Sequence, residues 1–319
     1  MYMKWKIILT LFLLSVIVPM LAQNEKAGST GFDTLKLVYG ARTAAMAGTG
    51  IGIPGNHEAM NLNPATSLRA PDHGLSTTFL DHFVGSAGGG INYVYPKNIY
   101  EAWAMSLSYW NSGSIDRTEI SGTGELIETG ETFGASSMIL GISTARFISP
   151  ALDIGGSLKM IYDSIDSKSA SAVMVDLGIL HHTANPKIKV GASIRNLGFQ
   201  TTYYTDTEYK EQLPLNYGAG ISMQMNDKLL GALDINKAIG ENILVKLGLE
   251  YLINKAFSLR AGIKSNARDY NVGGTMGLTG GGSLGIGWKV RNFNLDYAVV
   301  SYGDLGLTNQ LSLRYNFGN

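Results

Sequence analysis

Hydrophobic and polar residues alternate with a period of two along most of the chain. Segment 188–195 reads I-K-V-G-A-S-I-R, segment 257–264 reads F-S-L-R-A-G-I-K, and segment 310–317 reads Q-L-S-L-R-Y-N-F. Successive side chains of a β-strand point to opposite faces, so each segment has one apolar and one polar face. The pattern therefore predicts an all-β protein built from two-faced strands.

Fourteen segments of this kind follow one another after residue 73. They span 74–84, 86–96, 100–118, 131–147, 152–166, 168–181, 187–199, 214–225, 228–237, 243–254, 257–267, 281–291, 293–303 and 308–318. Many have about 10 residues or more, as tilted membrane strands do, whereas strands of globular sheets have about 5 or 6.

The connections between these segments differ in length in a regular way. The long ones, 119–130, 200–213 and 268–280, all follow odd-numbered segments, and the turns after even-numbered segments are short. A soluble sandwich also has alternating strands, but it gives no reason for this asymmetry. We therefore predict a transmembrane antiparallel β-barrel of about 14 strands, with short turns at one end and long loops at the other.

Charged residues fall mainly on the polar faces. In a barrel whose apolar face meets lipid, the polar face lines the lumen. The charged residues expected there are Lys159, Asp176, Arg195, Asp234, Lys246, Glu250, Arg260, Lys264, Lys289, Asp296 and Arg314. They carry both signs, and we favour ion pairs inside the barrel over a wet channel.

The first residues form a segment typical of a secretory signal peptide. Lys4 and Lys6 precede an uncharged run, 7–18, and Ala22 marks the expected cleavage point. The run is too short to cross a bilayer as a helix, which takes about 20 residues. We therefore divide the chain into a signal peptide, 1–22, an N-terminal segment, 23–72, and a barrel, 73–319.

The segment 23–72 contains a helical pattern in place of strands. Apolar residues spaced three and four apart predict a helix over 34–47, and a glycine-rich run, 48–52, follows it. A nucleotide-binding loop should follow a strand and open a helix, so we interpret this run as a flexible turn. The segment is predicted to form a helical and irregular plug inside the barrel.

Composition narrows the possible functions. The chain has 25 basic and 25 acidic residues and no cysteine. Zero net charge disfavours nucleic-acid binding, and without cysteine there is no disulfide, thiolate metal site or lipid anchor. The five histidines lack zinc-site spacing, and no Gly-x-Ser-x-Gly motif supports a hydrolase. We expect no enzyme activity, cofactor or metal; His181 and His182, beside a predicted turn, are expected to be solvated.

Two motifs in the plug resemble those of a known family. Residues 40–48 read G-A-R-T-A-A-M-A-G and residues 63–65 read N-P-A. They resemble the N-terminal signature of the PorV/PorQ family, a branch of the FadL-like outer-membrane barrels, in which G-x-R-x-x-A-M-x-G precedes N-P-A. The motif residues in this chain are Arg42, Met46, Gly48, Asn63, Pro64 and Ala65.

Short matches continue through the rest of the chain. They are V-D-L-G at 175–178, I-R-N-L-G at 194–198, L-P-L at 213–215, G-L-E-Y at 248–251, L-R-A-G at 259–262, L-D-Y-A at 295–298 and L-S-L at 311–313. The resemblance implies a fourteen-stranded barrel, plugged by its N-terminal segment, in the outer membrane of a Gram-negative-type bacterium.

The resemblance implies two possible functions. Known PorV/PorQ members serve type IX secretion, and FadL-like relatives take up hydrophobic small molecules. We expect first a secretion-associated barrel that binds the C-terminal domains of secreted cargo or secretion-complex subunits, with Tyr203, Tyr204 and Tyr209 as contact candidates. The alternative is a FadL-like uptake channel, which predicts an apolar pocket between plug and wall. In both, outer-membrane lipid surrounds the barrel.

Overall fold

The structure, a computed structural model, describes residues 28–207 and 209–318; the expected signal peptide lies outside them. Fourteen antiparallel strands form a closed barrel in which each strand neighbours the next and the last returns to the first. They are β1 Gly74–Asp81, β2 Ala87–Asn98, β3 Glu101–Ile120, β4 Leu126–Ser149, β5 Leu152–Ile165, β6 Lys168–His182, β7 Ile188–Thr202, β8 Asn216–Asn226, β9 Leu229–Ala238, β10 Ile243–Leu252, β11 Phe257–Lys264, β12 Gly282–Val290, β13 Phe293–Ser301 and β14 Leu307–Asn316. The predicted fold class is confirmed.

The strands carry apolar side chains on their outer face and polar ones on their inner face. On β1, Leu75 and Phe79 are exposed, whereas Ser76 and Thr78 are buried. This is the arrangement of a transmembrane barrel, in which lipid covers the outer face. Within the described residues, no helix is both long enough and apolar enough to cross a membrane.

The two ends of the barrel differ, and we name them by their connections. Turns such as 99–100 and 227–228 form the short-turn end, where the aromatic rings of Phe293 and Tyr315 lie 4.8 Å apart. At the long-loop end lie the β7–β8 loop, 203–215, and the β11–β12 connection, 265–281, which contains 3-10 helices Ala267–Tyr270 and Gly277–Thr279. A further 3-10 helix, Gly303–Leu305, joins β13 to β14.

The predicted loop 119–130 is wrong, because most of it is strand. β3 continues to Ile120 and β4 begins at Leu126, so that only 121–125 form the turn. The turn is closed by the Ser121 N–H, which donates to the Glu125 carbonyl at 2.8 Å. β-Branched residues on both strands fit an extended ribbon. Residues 112–132 therefore project as a two-stranded hairpin beyond the neighbouring strands.

The predicted helix over 34–47 is also wrong in most of its length. A 3-10 helix, Asp33–Lys36, is followed by extended backbone and then by α1, Ala41–Ala45. The interruption lets the Gly40 and Ala41 N–H groups donate to side chains of β14, Gln310 Oε1 at 3.1 Å and Ser312 Oγ at 2.8 Å. Contacts with the barrel wall thus override the local helical pattern.

The rest of residues 28–73 runs through the lumen toward the short-turn end. Two further 3-10 helices, Ala59–Asn61 and Pro64–Arg69, precede β1. Residues 41–60 are buried almost without interruption, and we call residues 28–73 the plug. The plug and the inner wall together form the interior of the molecule.

Candidate functional site

The inner wall contacts the plug at glycines on β5 to β8 and on β10 to β12. These are Gly155 on β5, Gly178 on β6, Gly191 on β7, Gly220 on β8, Gly248 on β10, Gly262 on β11 and Gly285 on β12. A Cβ at Gly178 would overlap Asn63, and one at Gly191 would overlap the Ile51 carbonyl oxygen. Glycine is required here because plug and wall approach closely.

The N-P-A motif anchors the plug to these glycines. Asn63 is fully buried, and its Oδ1 accepts the Ala65 N–H at 3.1 Å, which caps the helix that Pro64 begins. Its Nδ2 donates to two carbonyls at 2.8 Å, Ile51 in the plug and Ile179 on β6. Asn63 therefore joins two parts of the plug to the wall, with Pro64 and Ala65 buried against Gly155.

Arg42 holds the plug through an ionic network. Its guanidinium makes a bidentate salt bridge with Glu250, in which Nε donates to Oε2 and Nη2 donates to Oε1, both at 2.8 Å. Arg260 donates to the same Glu250 at 2.6 Å and to Asp296 at 2.7 Å. Glu250, Arg260 and Asp296 are all buried. Such paired geometry stabilises charges that would be costly to bury alone.

Met46 and Gly48 lie at the end of α1, deep in the lumen. Met46 is 1% exposed and packs with Ile53 and Ala232. Just beyond the helix, Ala47 has φ 58° and Gly48 has φ 75°, and the Gly48 N–H donates to the Thr43 carbonyl at 2.8 Å. This left-handed conformation favours glycine.

The run 48–52 is not the flexible turn expected from its glycines. All five residues are buried, and the Gly50 and Ile51 N–H groups donate to Asp234 Oδ2 at 2.8 and 3.1 Å. Asp234, on β9, thereby accepts hydrogen bonds from the backbone of the plug. The glycines serve close packing rather than motion.

The predicted lumen residues on β5, β6 and β7 form a second group of charged side chains. Lys159 Nζ lies 2.7 Å from Asp176 Oδ2, and Asp176 Oδ1 accepts the Asn196 N–H at 2.7 Å. Arg195 donates to Asn216 and Asn236 at 2.9 and 3.1 Å. These charged side chains therefore pair with each other or form hydrogen bonds with amide groups.

The remaining predicted cations take different positions. Lys246 is buried, with its Nζ 3.4 Å from the Gly48 carbonyl, and Lys264 lies over the Tyr302 ring at 5.7 Å. Arg314 is half-buried and lines a cavity of about 440 Å³ at the short-turn end, together with the exposed Lys289.

Burial shifts the pKa of two titratable side chains in the plug. Burial lowers the pKa of His57 to about 4, and the charge of Arg314 adds to the effect. Burial raises the pKa of Glu58, whose Oε2 accepts the Thr43 N–H at 3.2 Å. A docked plug therefore favours neutral His57.

His182 is not solvated as expected. Its Nε2 lies 2.6 Å from Asp153 Oδ2. Arg69 of the plug makes a bidentate salt bridge with the same carboxylate, with both hydrogen bonds at 2.7 Å. Asp153 is fully buried, so the plug has a second ionic anchor near the short-turn end. His181, by contrast, is exposed.

The barrel wall is incompletely paired between β7 and β8. β7 pairs with β6 as far as Thr202, but with β8 only from Ile188 to Arg195. The change occurs at Asn196, which has φ 62° where the β6–β7 register shifts. A bulge of this kind bends a strand and ends its regular pairing. Residues 196–202 consequently have no strand on their β8 side.

The β7–β8 loop covers this open seam. The Asn196 side chain donates to the Pro214 carbonyl at 3.0 Å, and the Glu211 N–H donates to Gln200 Oε1 at 2.7 Å. Between loop and strand lies a groove of about 750 Å³ whose lining includes exposed Leu197 and Phe199. We call it the seam groove.

The three tyrosines proposed as partner contacts differ in exposure. Tyr209 is 66% exposed, and Tyr203 is half-buried and lines the seam groove. Tyr204 turns inward: its hydroxyl donates to Asp163 Oδ2 at 3.3 Å and its ring lies 6.2 Å from that of Phe32. Tyr204 is therefore part of the interior rather than a free contact.

The pocket expected between plug and wall is small. It lies beside Leu37, Val38 and Ile139, and has a volume of about 50 Å³. A dry cavity that binds benzene has about 150 Å³. Among the residues that the structure describes, no three His, Asp or Glu side chains are grouped as a metal ion would need.

Comparisons with known proteins show the same architecture. The toluene transporter TbuX of Ralstonia pickettii superimposes with a TM-score of 0.62 at 16% identity, over 88% of this chain and 98% of that one. The toluene transporter TodX of P. putida gives 0.62 at 14%, over 88% and 99%, and a FadL homologue of Pseudomonas aeruginosa gives 0.59 at 11%, over 88% and 98%. No protein-family model and no curated protein matches the chain.

At these identities the likeness establishes the fold. The expected similarity to FadL-like barrels is confirmed at that level, whereas the narrower PorV/PorQ assignment and the secretion role receive no support from these proteins, which are transporters by name.

Sequence reasoning missed the inner-wall glycines and the seam. The matched tags did contain a signal for the first, because Asp176 and Gly178, like Glu250 and Gly248, are an ion and a glycine two residues apart on one face. The open seam had no comparable signal, since 196–199 were predicted as the end of an ordinary strand and 200–202 as loop, although β7 continues to Thr202.

Proposed function

We propose that this chain is an outer-membrane uptake channel for hydrophobic small molecules, which pass the wall at the seam between β7 and β8. The observation that supports it most directly is the seam groove, the place where a strand of the wall loses its partner and a loop covers the opening. The similar structures named as toluene transporters support the same class of ligand.

The plugged lumen argues against a straight aqueous path through the barrel centre. The plug fills the barrel centre, bonded to the wall through Asn63, Arg42 and Asp234. An apolar molecule that leaves through the wall enters the membrane directly, without crossing water, which is favourable for apolar surface. The seam groove opens beside the outward-facing Leu197 and Phe199.

The absence of cysteine from the chain permits a clean test. The double variant Gln200→Cys with Glu211→Cys is designed to join the β7–β8 loop to β7, where the Glu211 backbone N–H already donates to the Gln200 side chain, and mass spectrometry would verify that the disulfide forms. Cells that lack their own hydrocarbon channels would express the protein, and uptake of radiolabelled toluene would be measured. Oxidation should lower uptake to the level of cells without the barrel, and reduction should restore it.

A matched crosslink controls for oxidation itself. Thr118→Cys with Glu128→Cys joins directly paired residues of the projecting hairpin, away from the seam. It should leave uptake unchanged. Toluene uptake that ignores the seam crosslink, or never exceeds that of cells without the barrel, contradicts the proposed function.

Binding of secreted cargo or secretion-complex subunits is the second candidate. It is favoured by the projecting hairpin, where Ile120 and Leu126 are 75% and 74% exposed. Exposed apolar residues on a two-stranded ribbon with free edges suit contact with another protein. Affinity purification from native membranes, with and without residues 118–128, would show stoichiometric partners lost on deletion; recovery of the barrel alone rejects this candidate.

A further inference from the structure

The cavity of about 440 Å³ at the short-turn end has an excess of positive charge on its lining, and we call it the basic cavity. Two carboxylates, Glu250 and Asp296, line it. Its six cationic side chains come from the plug, the wall and the β10–β11 turn: Arg42, Arg69, Lys255, Arg260, Lys289 and Arg314. Three times as many cations as carboxylates therefore face the same space.

The carboxylates of the lining are already bound by arginines. Arg42 and Arg260 share Glu250, and Arg260 also donates to Asp296 at 2.7 Å. Arg69 is neutralised by its salt bridge with a carboxylate outside the lining. No lining carboxylate therefore remains for the other three cations.

Arg314 is the most buried of these three cations. Its side chain is half-buried, and its Nε is a buried donor without a hydrogen-bond partner. Lys255 and Lys289 are exposed at the mouth of the cavity. Within the described part of the chain, none of the three forms an ion pair. A partly buried guanidinium without a counter-ion is unfavourable, so this group favours an anion beside it.

The strand register brings Arg314 and Lys289 to one place on the inner wall. Arg314 of β14 pairs with Asn294 of β13, which in turn pairs with Lys289 of β12. Paired residues point to the same face, and all three line the cavity. Neighbouring strands lie about 4.8 Å apart, so the two cationic residues start about 10 Å apart. Their long side chains reach an anion held between them.

The charge and size of the cavity favour a phosphate monoester over a simple carboxylate. Three unneutralised cations suit an anion with more than one charge, and a phosphate monoester carries about 1.5 to 2 negative charges at pH 7. Arginine binds phosphate through two parallel hydrogen bonds, and lysine binds it as a point charge. The volume is in the range of small-molecule sites, and Pro71 and Leu252 line it beside the cations. There is thus room for a small organic group on the phosphate.

We propose that the basic cavity is a binding site for small organic phosphate monoesters, with Arg314 and Lys289 on the phosphate and Lys255 at the mouth. Short turns of outer-membrane barrels face the periplasm, so the ligand enters from that side. The cationic groups lie on the inner wall rather than on the lipid face, which favours a soluble ester over a lipid headgroup. The seam groove lies at the opposite end of the barrel, so anion binding and hydrocarbon uptake are tested separately.

The direct test is calorimetry on the purified full chain in detergent, with glycerol phosphate as the probe. One saturable site is expected, and its affinity should fall as sodium chloride is added, because salt screens exposed charges. Acetate should bind more weakly. Arg314→Gln should lower the affinity for glycerol phosphate about tenfold or more, since it removes charge-assisted hydrogen bonds.

A second variant leaves the arginines unchanged. Lys255→Gln with Lys289→Gln alters only exposed side chains and should also weaken binding of glycerol phosphate. Lys228→Gln is the matched control, because Lys228 is an exposed lysine of the β8–β9 turn at the same end but outside the cavity lining. It should leave the affinity unchanged. Heat-modified migration on gels would verify that each variant is a folded barrel.

The source of the phosphate is tested in lipid nanodiscs with and without phosphatidylglycerol. Equal affinity for glycerol phosphate in both supports a soluble ligand. Displacement of glycerol phosphate by the anionic lipid overturns that assignment in favour of a headgroup. The site itself is rejected if glycerol phosphate does not bind, if acetate binds as tightly, or if both cavity variants bind it like the wild type.

Discussion

The two ends of the plug are held by different physical forces. Toward the short-turn end, Arg42 forms a bidentate salt bridge with buried Glu250, and Arg69 forms one with buried Asp153. Toward the long-loop end, the Phe32 ring lies in an apolar pocket, the Gly31 N–H donates to the Gln212 carbonyl, and one half-buried ion pair joins Lys36 to Glu241 at 2.6 Å. Charge networks are strong only in one geometry, whereas an apolar pocket accepts another apolar occupant. The short-turn half of the plug is therefore held mainly by buried ion pairs, and the long-loop half mainly by apolar packing.

The largest expected effect comes from breaking the ionic anchor. Glu250→Ala leaves Arg42 and Arg260 buried without their shared carboxylate, and removal of one partner from a buried ion pair costs about 3–5 kcal/mol. The reporter is Met46→Cys, a single thiol protected by the docked plug. Its maleimide labelling should accelerate strongly when Glu250→Ala is added; unchanged protection would show that the network does not hold the plug.

Acidification should weaken the same region through His57. The pKa of His57 is about 4 in the docked plug against 6.5 for the free side chain, so the undocked state binds more protons between these values. The His57 contribution to docking is therefore constant above pH 6.5 and falls by up to about 3 kcal/mol as the pH falls to about 4. Open-channel events in planar bilayers would be counted across this range.

His57→Gln isolates this contribution. Glu58, whose pKa is raised by burial, opposes His57, because its docked form holds a proton that the undocked form releases. The difference between the wild type and His57→Gln therefore reports His57 alone. Parallel pH profiles for the two proteins would contradict the prediction.

A smaller effect is expected from the N-P-A motif. Asn63→Ala removes a helix cap and the donor to two carbonyls, with an expected loss of about 2 kcal/mol in plug docking. The labelling of Met46→Cys should increase less than with Glu250→Ala. Asn61→Ala, in the same segment, is the control, because the Asn61 side chain donates to Asn92 and not to the carbonyls that Asn63 joins.

The smallest effect should come from an exposed ion pair on the hairpin. Glu131, 75% exposed, lies 3.5 Å from Arg117. Glu131→Ala should change stability by less than about 1 kcal/mol and leave plug protection unchanged. A large change in urea-induced unfolding would mean that the projecting hairpin contributes to the barrel.

The wall could be predicted from the sequence far better than the plug. Alternation is a local property of each strand, and all fourteen strands were located by it, with ends wrong mainly where β3 and β4 extend beyond the barrel. The plug conformation is set by partners far along the chain. Gly40 and Ala41, for example, bond to residues 270 and 271 positions away, which no local period can show.

The candidate site was likewise predictable where it depends on a single strand and unpredictable where it depends on partners distant in the chain. The inward ions were visible because they sit on a polar face, but their pairing was not, since Glu250 and Asp296 meet only across Arg260. The seam depends on which edge of β7 finds a neighbour, a property of two strands that the pattern of one cannot contain.

Ser312 carries a consequence for the order in which the molecule is assembled. Its hydroxyl accepts the Ala41 N–H of the plug and lies 2.7 Å from the Thr78 hydroxyl of β1. The final strand thus meets the first strand and the plug at one residue. A docked plug therefore adds a hydrogen bond at the strand where the barrel closes, so that plug docking and closure of β14 onto β1 stabilise each other.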